Sequence, residues 1–356
     1  MKNINWKNID TRISRALSEQ IFPGCVVGVV DRQGEPTVRA YGRHTYAPDA
    51  PVITPNSIFD VASITKSIPT SSAALLLIQE GKLNLHDRVI DIIPELTMEF
   101  KENITVFHLL THTLDFGFRL SSYKNMPPKE LLAAIFAAPL KVQPGTSFFY
   151  SNATSILLGQ VVERIGKKRL DQFAAERFFE SLKMDSTGFY CNDFDADRIV
   201  PTEIDLWRNR TICGEVHDES AWALRPDVIA GSAGLFSTAG DLLIFLKMIL
   251  SRGLSSRGRV FEESTIDLMS TNQLEAIGLS AALGWELNQP RYMGHSSTPR
   301  TFGKTGFTGC VCVCDPLTGV GYVLLSNYTW PHRKKDASLI NEVRCDISDL
   351  ILGKLM

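Results

Sequence analysis

β-rich runs near both ends of the chain bracket a long stretch that reads as helices, and this arrangement limits the fold more than any other feature. Residues 25–30 and 37–41 are β-rich and flank Asp31-Arg32-Gln33-Gly34-Glu35-Pro36, a turn-forming sequence, which predicts a hairpin. Residues 309–314 and 319–325 repeat the pattern around Asp315-Pro316-Leu317-Thr318. Between the two pairs, segments 104–111, 128–137, 153–165, 170–179 and 239–251 read as helices joined by polar loops. Ile4, Ile9, Ile13, Leu17 and Ile21 follow helical spacing ahead of the first hairpin. Leu339, Val343, Ile347, Leu350 and Ile351 share one face of a final helix over 335–352. We expect an α/β fold in which one antiparallel sheet, built from both chain ends and flanked by the terminal helices, carries an inserted helical domain. The expected division is residues 1–60 and 280–356 for the sheet domain and 61–279 for the helical domain, with a site in the crevice between them.

The chain has 356 residues, 44% of them hydrophobic, enough for a sizeable core. A net charge of −2 gives no basic footprint for nucleic acid and no polybasic patch for a membrane surface, so the expected partner is a small molecule or short peptide. No apolar run approaches the roughly 20 residues that cross a bilayer, and Met1-Lys2-Asn3-Ile4-Asn5-Trp6-Lys7 lacks the apolar core of a secretory signal. A cytoplasmic location is the expectation. Seven cysteines, an odd and scattered set, suit reduced thiols better than a disulfide framework. Cys310, Cys312 and Cys314 alternate with Val311 and Val313, which is strand periodicity with the sulfurs on one face. A metal would need a fourth ligand and tighter spacing, so we read them as buried small hydrophobes and expect neither metal nor cofactor.

Three stretches carry chemistry. In Phe59-Asp60-Val61-Ala62-Ser63-Ile64-Thr65-Lys66, a serine and a lysine stand one helical turn apart at the mouth of an apolar helix that runs to Gly81, with Pro69 expected to kink its first turns. A lysine in a partly dry site gives up its proton readily enough to act as a base toward that serine. The same spacing recurs at Ser121 and Lys124, in a polar segment without the apolar approach. The second stretch, Pro144-Gly145-Thr146-Ser147-Phe148-Phe149-Tyr150-Ser151-Asn152, delivers a tyrosine and an asparagine to a helix start. A phenol near two ammonium groups can serve as a base and an amide can serve lysine or substrate; a core tyrosine with a capping asparagine fits the same residues. The third, Phe302-Gly303-Lys304-Thr305-Gly306-Phe307-Thr308-Gly309, opens the Cys310 strand. Its glycines permit close approach of a ligand, and Lys304 with Thr305 suits a carboxylate; a glycine-rich turn with an exposed lysine is the plain alternative.

The order Ser-x-x-Lys, Tyr-x-Asn, Lys-Thr-Gly resembles the serine β-lactamase and penicillin-binding-protein superfamily, with Tyr-x-Asn similar to its class C branch. Residues 104–113 and 230–242 are similar to two further segments of that superfamily, and the likeness covers most of the chain. Leu114-Asp115 and Pro69 depart from its pattern, and Gly214-Glu215-Val216-His217-Asp218-Glu219 is similar to its esterase and low-activity penicillin-binding members. The resemblance implies the β-lactamase-like fold and a hydrolase that cleaves an ester or amide through an acyl-enzyme on Ser63. Lys66, Tyr150 and Lys304 would be catalytic, with Asn152, Thr305, Gly306 and Phe307 binding a substrate that bears a carboxylate. A ligand-binding or sensor protein that keeps the pocket and turns nothing over is the alternative. His108 and His112 lack the Glu of a zinc motif and are expected to make structural hydrogen bonds. His217-Asp218 is expected to fix a loop, with a Ser63–His217–Asp218 triad as the other reading.

Overall fold

A computed structural model describes residues 4–118 and 120–353. Six strands, β1 (Gly24–Asp31), β2 (Thr37–Gly42), β3 (Glu286–Leu287), β4 (Phe302–Thr305), β5 (Val311–Asp315) and β6 (Val320–Ser326), form an antiparallel sheet in the order β2-β1-β6-β5-β4-β3. The two chain ends meet in its middle, where β1 pairs with β6 from Cys25 opposite Ser326 to Asp31 opposite Val320. This is the α/β sheet expected from the strand pairs at the two ends.

Alternation along the strands decides what each face buries. Val26 and Val30 of β1, Cys312 and Cys314 of β5, and Val323 and Leu325 of β6 enter one core. Their neighbours Val27, Val29, Val311, Val313, Tyr322 and Leu324 enter the other. Among the helices of the described residues are α1 (Trp6–Ser18), α2 (Ser72–Gln79), α3 (Asn152–Gly166), α4 (Ala239–Leu250) and α5 (Ser338–Leu352). Ile9 and Ile13 of α1 and Ile340, Val343 and Ile347 of α5 cover the second core. Each such side chain, once buried, contributes about 1.5–3 kcal/mol.

The first core is continuous from the sheet through α4 into α2 and α3. Gly28 makes room for α4, since a Cβ there would stand 2.6 Å from Leu243 Cδ1. Helix α4 therefore covers the sheet, although the division at residues 61–279 assigns it to the helical part. The cysteines at 310, 312 and 314 are fully buried in this core, as their spacing suggests, and burial pushes their thiols up.

Two local expectations need correction. The helix from Ser63 to Gly81 is not continuous: Ala62–Lys66 is a 3₁₀ turn, Ile68 leaves helical geometry at φ −119°, ψ 110°, and α2 begins only at Ser72. A residue before proline is pushed out of the α region, so Ile68 breaks where Pro69 dictates. Residues 302–309 do not simply open the Cys310 strand, because Phe302–Thr305 is a strand of its own with Lys304 opposite Cys312. No described helix is long and apolar enough to cross a membrane.

Candidate active site

The turn that carries Ser63 is held from beneath by Asp60, which is buried. Asp60 Oδ1 accepts from the Ala62 amide at 2.8 Å, its Oδ2 accepts from the His217 amide at 2.8 Å, and its carbonyl accepts from Thr308 Oγ1 at 2.7 Å. Burial pushes the carboxyl up, outweighing the amides of His217 and Ala62 that pull it down. Ala62 adopts φ 48°, a region that residues with a Cβ enter at a cost, so the backbone immediately before the serine is strained. From the sheet side, Gly306 lies so close to this turn that a Cβ would stand 2.4 Å from the Val61 carbonyl oxygen. Only glycine permits that approach.

Lys66 is 1% exposed, and its Nζ donates to Ser63 Oγ at 2.9 Å, to Asn152 Oδ1 at 2.8 Å and to the Ser232 carbonyl at 2.8 Å. Three acceptors match the three protons of an ammonium. Burial nevertheless pulls the group down from the ordinary lysine value; Tyr150 opposes that pull and Lys304 adds to it. Asn152 opens α3 and is held in turn, since its Nδ2 donates to Asp218 Oδ2 at 2.9 Å.

Tyr150 stands over the same serine. Its ring centroid is 4.2 Å from Lys304 Nζ and 5.0 Å from Lys66 Nζ, and it lines the same cavity as Ser63. Crowding by protein pushes the phenol up, Lys304, Lys66 and the Ser63 hydroxyl pull it down, and the downward pull wins. The His112 ring packs on Tyr150 at 5.3 Å, and burial with the two lysines keeps that imidazole far below its ordinary value. Lys304 is itself paired: its Nζ donates to Glu286 Oε1 at 2.6 Å. Burial pulls Lys304 down, but Glu286 outweighs it and holds the ammonium above the ordinary value.

Thr305 and Phe307 line, with Ser63, Tyr150, Phe148 and Leu279, a cavity of about 530 Å³. Of the expected site residues, Ser63, Tyr150, Thr305 and Phe307 line this cavity, Lys66 and Asn152 stand behind Ser63 through their hydrogen bonds, Lys304 lies by the Tyr150 ring, and Gly306 packs against Val61. The Ser121 and Lys124 spacing leads elsewhere, with Lys124 lying over the Trp207 ring at 4.5 Å. The triad of Ser63, His217 and Asp218 is not built. His217 Nε2 lies 2.9 Å from Glu203, its ring packs edge-on against Phe307 at 5.3 Å, and Asp218 serves Asn152, Ser220 and Ala221. His108 makes the expected structural bond, accepting the Thr105 amide at Nδ1, whereas His112 Nδ1 has no hydrogen-bond partner among the described residues. Sequence reasoning missed Asp60, Ser232 and Glu286. Asp60 and Ser232 stood inside the quoted stretches without a role, and Glu286 had no local signal.

A serine flanked by a lysine and a tyrosine, set between an antiparallel sheet and a helical layer, defines a class of serine hydrolase. The chain matches the Beta-lactamase family over residues 9–344 and belongs to it. Among curated relatives, it is 30% identical over 309 residues to the "Putative D-alanyl-D-alanine carboxypeptidase" of Escherichia coli (strain K12), covering 77% of this chain and 70% of that one. It is 29% identical over 360 residues to the "N-acetylmuramyl-L-alanine amidase" of Bacillus subtilis (strain 168), covering 90% and 80%. Among solved structures, EstCE1, "a hydrolase with promiscuous acyltransferase activity", superposes with a TM-score of 0.77 at 20% identity over 98% of each chain, a likeness of fold.

Proposed function

We propose that the protein cleaves a carboxylic ester or an amide, a β-lactam or D-amino-acid peptide among them, through an acyl-enzyme on Ser63. The observation that carries this reading is the placement of Lys66 Nζ 2.9 Å from Ser63 Oγ, with Tyr150 lining the same cavity as Ser63 and both Lys66 and Lys304 close to its ring. The relatives named as a carboxypeptidase and an amidase, and the fold neighbour named as a hydrolase, support it.

Lys66 and Lys304 favour the Tyr150 phenolate, which takes the proton of Ser63 as Oγ bonds to the substrate carbonyl carbon. Backbone amides of Ser63 and Phe307 receive the oxyanion, each such donor being worth about 3 kcal/mol. Collapse breaks the bond to the leaving group, which departs with the proton held by Tyr150. Water then gives a proton to Tyr150 and attacks the acyl carbon; collapse breaks the bond to Oγ as Tyr150 returns that proton to Ser63, releasing the acid and restoring both residues. The seven unpaired cysteines suit a reducing compartment, which supports work in the cytoplasm.

A fluorescent penicillin and p-nitrophenyl esters of graded chain length test the reading. Ester turnover or a penicillin adduct, lost in Ser63→Ala, is expected. A silent binding protein would show no rate change in Ser63→Ala and no adduct at Ser63.

A further inference from the structure

Arg344, on α5, is a cation only 3% exposed, and it pairs with no carboxylate among the described residues. Its Nη2 donates to the Gly306 carbonyl at 2.9 Å and to the Cys310 carbonyl at 2.8 Å, and its Nη1 donates to Asn341 Oδ1 at 2.8 Å. Its Nε has no hydrogen-bond partner among the described residues. Burial pulls the guanidinium down to about 10, which leaves it charged at neutral pH. A buried charge without a counter-ion is costly. Closing the turn over residues 306–310 does not require that charge. The Gly306 amide already donates to the Cys310 carbonyl at 2.7 Å, and the Gly309 amide to the Gly306 carbonyl at 3.1 Å.

The Gly306 carbonyl belongs to the same peptide unit as the Phe307 amide. That peptide is trans, so its N–H points opposite to its carbonyl and away from Arg344. The Phe307 amide donates to no group among the described residues, and Phe307 lines the cavity with Ser63. A cation on the carbonyl oxygen draws electron density through the amide resonance and makes the N–H a better donor, as bonds in a chain polarise one another. We infer that Arg344 is a positioning residue for the reaction, whose charge reaches the oxyanion through the Gly306–Phe307 peptide. It touches no substrate. From behind the strand it holds the turn by both carbonyls and fixes a cation near the oxygen that gains charge, where preorganised donors act most strongly. The inference rests on the serine-hydrolase reading and adds to it a residue 37 positions beyond Phe307, on another element.

The test uses a trifluoromethyl ketone that carries the acyl group of the best ester substrate. Ser63 Oγ bonds to the ketone carbon and its proton passes to Tyr150, which leaves a hemiketal oxyanion where that of the ester would form. Titration of the isotope-labelled hemiketal carbon by NMR reads how strongly the site favours the anion. Lys66 and Lys304 are present in every variant, so a difference between variants reports Arg344. Arg344→Met is expected to raise the titration by about one unit and to lower kcat about tenfold, with KM within about twofold. Arg344→Lys keeps the charge and is expected to lie between Arg344→Met and wild type. Should Arg344→Met fail to fold, Arg344→Lys and Asn341→Ala, which frees Nη1, are each expected to raise the titration by a smaller step. An unchanged titration in the folded variants, with Ser63 labelled by a fluorophosphonate, overturns the inference and leaves the hydrolase reading standing. Lower thermal stability with kcat unchanged also overturns it, because Arg344 would then only brace the turn. Absence of both ester turnover and Ser63 labelling in wild type overturns the hydrolase reading itself, and this inference with it.

Discussion

Lys66 Nζ lies 2.9 Å from Ser63 Oγ while holding Asn152 Oδ1 and the Ser232 carbonyl at 2.8 Å each. The serine is thus tied into a network anchored on the helical layer, and the approach of Gly306 to Val61 anchors it on the sheet. Reactivity at Ser63 depends on both anchors.

The first prediction concerns the base. Tyr150→Phe keeps the ring over both lysines and removes the hydroxyl, so kcat is expected to fall by about 10²–10⁴ with a smaller change in KM. Steady-state kinetics on an activated ester check this. An unchanged kcat would assign the proton transfer to Lys66 alone.

The pH profile follows from the same geometry. The base works when deprotonated, so kcat/KM rises with pH through the phenol's titration and then levels. Because Lys304 and Lys66 outweigh burial, this limb is expected below the ordinary tyrosine value of 10.0. Lys304→Met removes one of those cations and is expected to move the limb upward, and a downward shift would contradict the account.

Gly306→Ala tests the close approach of strand β4 to the serine turn. The new Cβ would meet backbone, the Val61 carbonyl oxygen at 2.4 Å, and backbone there cannot swing aside as a flexible side chain would. A loss of about 1–3 kcal/mol in urea unfolding is expected, together with lower activity because Ser63 lies two residues beyond Val61. Wild-type stability in this variant would show that the strand end has room.

Acid sensitivity should reside at Glu203, which is 5% exposed. Burial pushes its carboxyl up, but His217 and Arg333 outweigh burial and hold it at about 2, below the ordinary 4.5. A carboxyl with a depressed folded-state value stabilises the fold above its unfolded value. That contribution is full above pH 4.5 and is lost as pH falls through about 2. Glu203→Gln is expected to be less stable at neutral pH and to lose less on acidification across that window. Equal pH slopes in thermal unfolding would contradict this.

How much was legible in the chain depended on the range of the interaction. The alternation of Cys310, Val311, Cys312, Val313 and Cys314 shows the strand and its two faces because a period of two is local. Ser63, Lys66, Tyr150 and Lys304 could be singled out because each sits beside a turn, a helix start or a glycine with its own signature. The break at Ile68 was half visible: Pro69 announces a disturbance but not that the helix begins only at Ser72. Glu286 was invisible, since β3 has two residues and shows no alternation, and its pairing with Lys304 arises only from the register that sets it opposite Gly303. Asp60 was hidden for a related reason. The Ala62 amide is local, but the His217 amide on the carboxylate and the Thr308 hydroxyl on the Asp60 carbonyl come from distant parts of the chain, and a buried acid looks like any other until they are placed around it.

The measurement that bears most directly on the central claim is peptide mapping by mass spectrometry after reaction with a fluorophosphonate, alongside ester hydrolysis by Ser63→Ala. The account predicts one phosphonylated residue, Ser63, with labelling and hydrolysis both lost in the variant. Modification at another residue, or hydrolysis by Ser63→Ala at the wild-type rate, would contradict it.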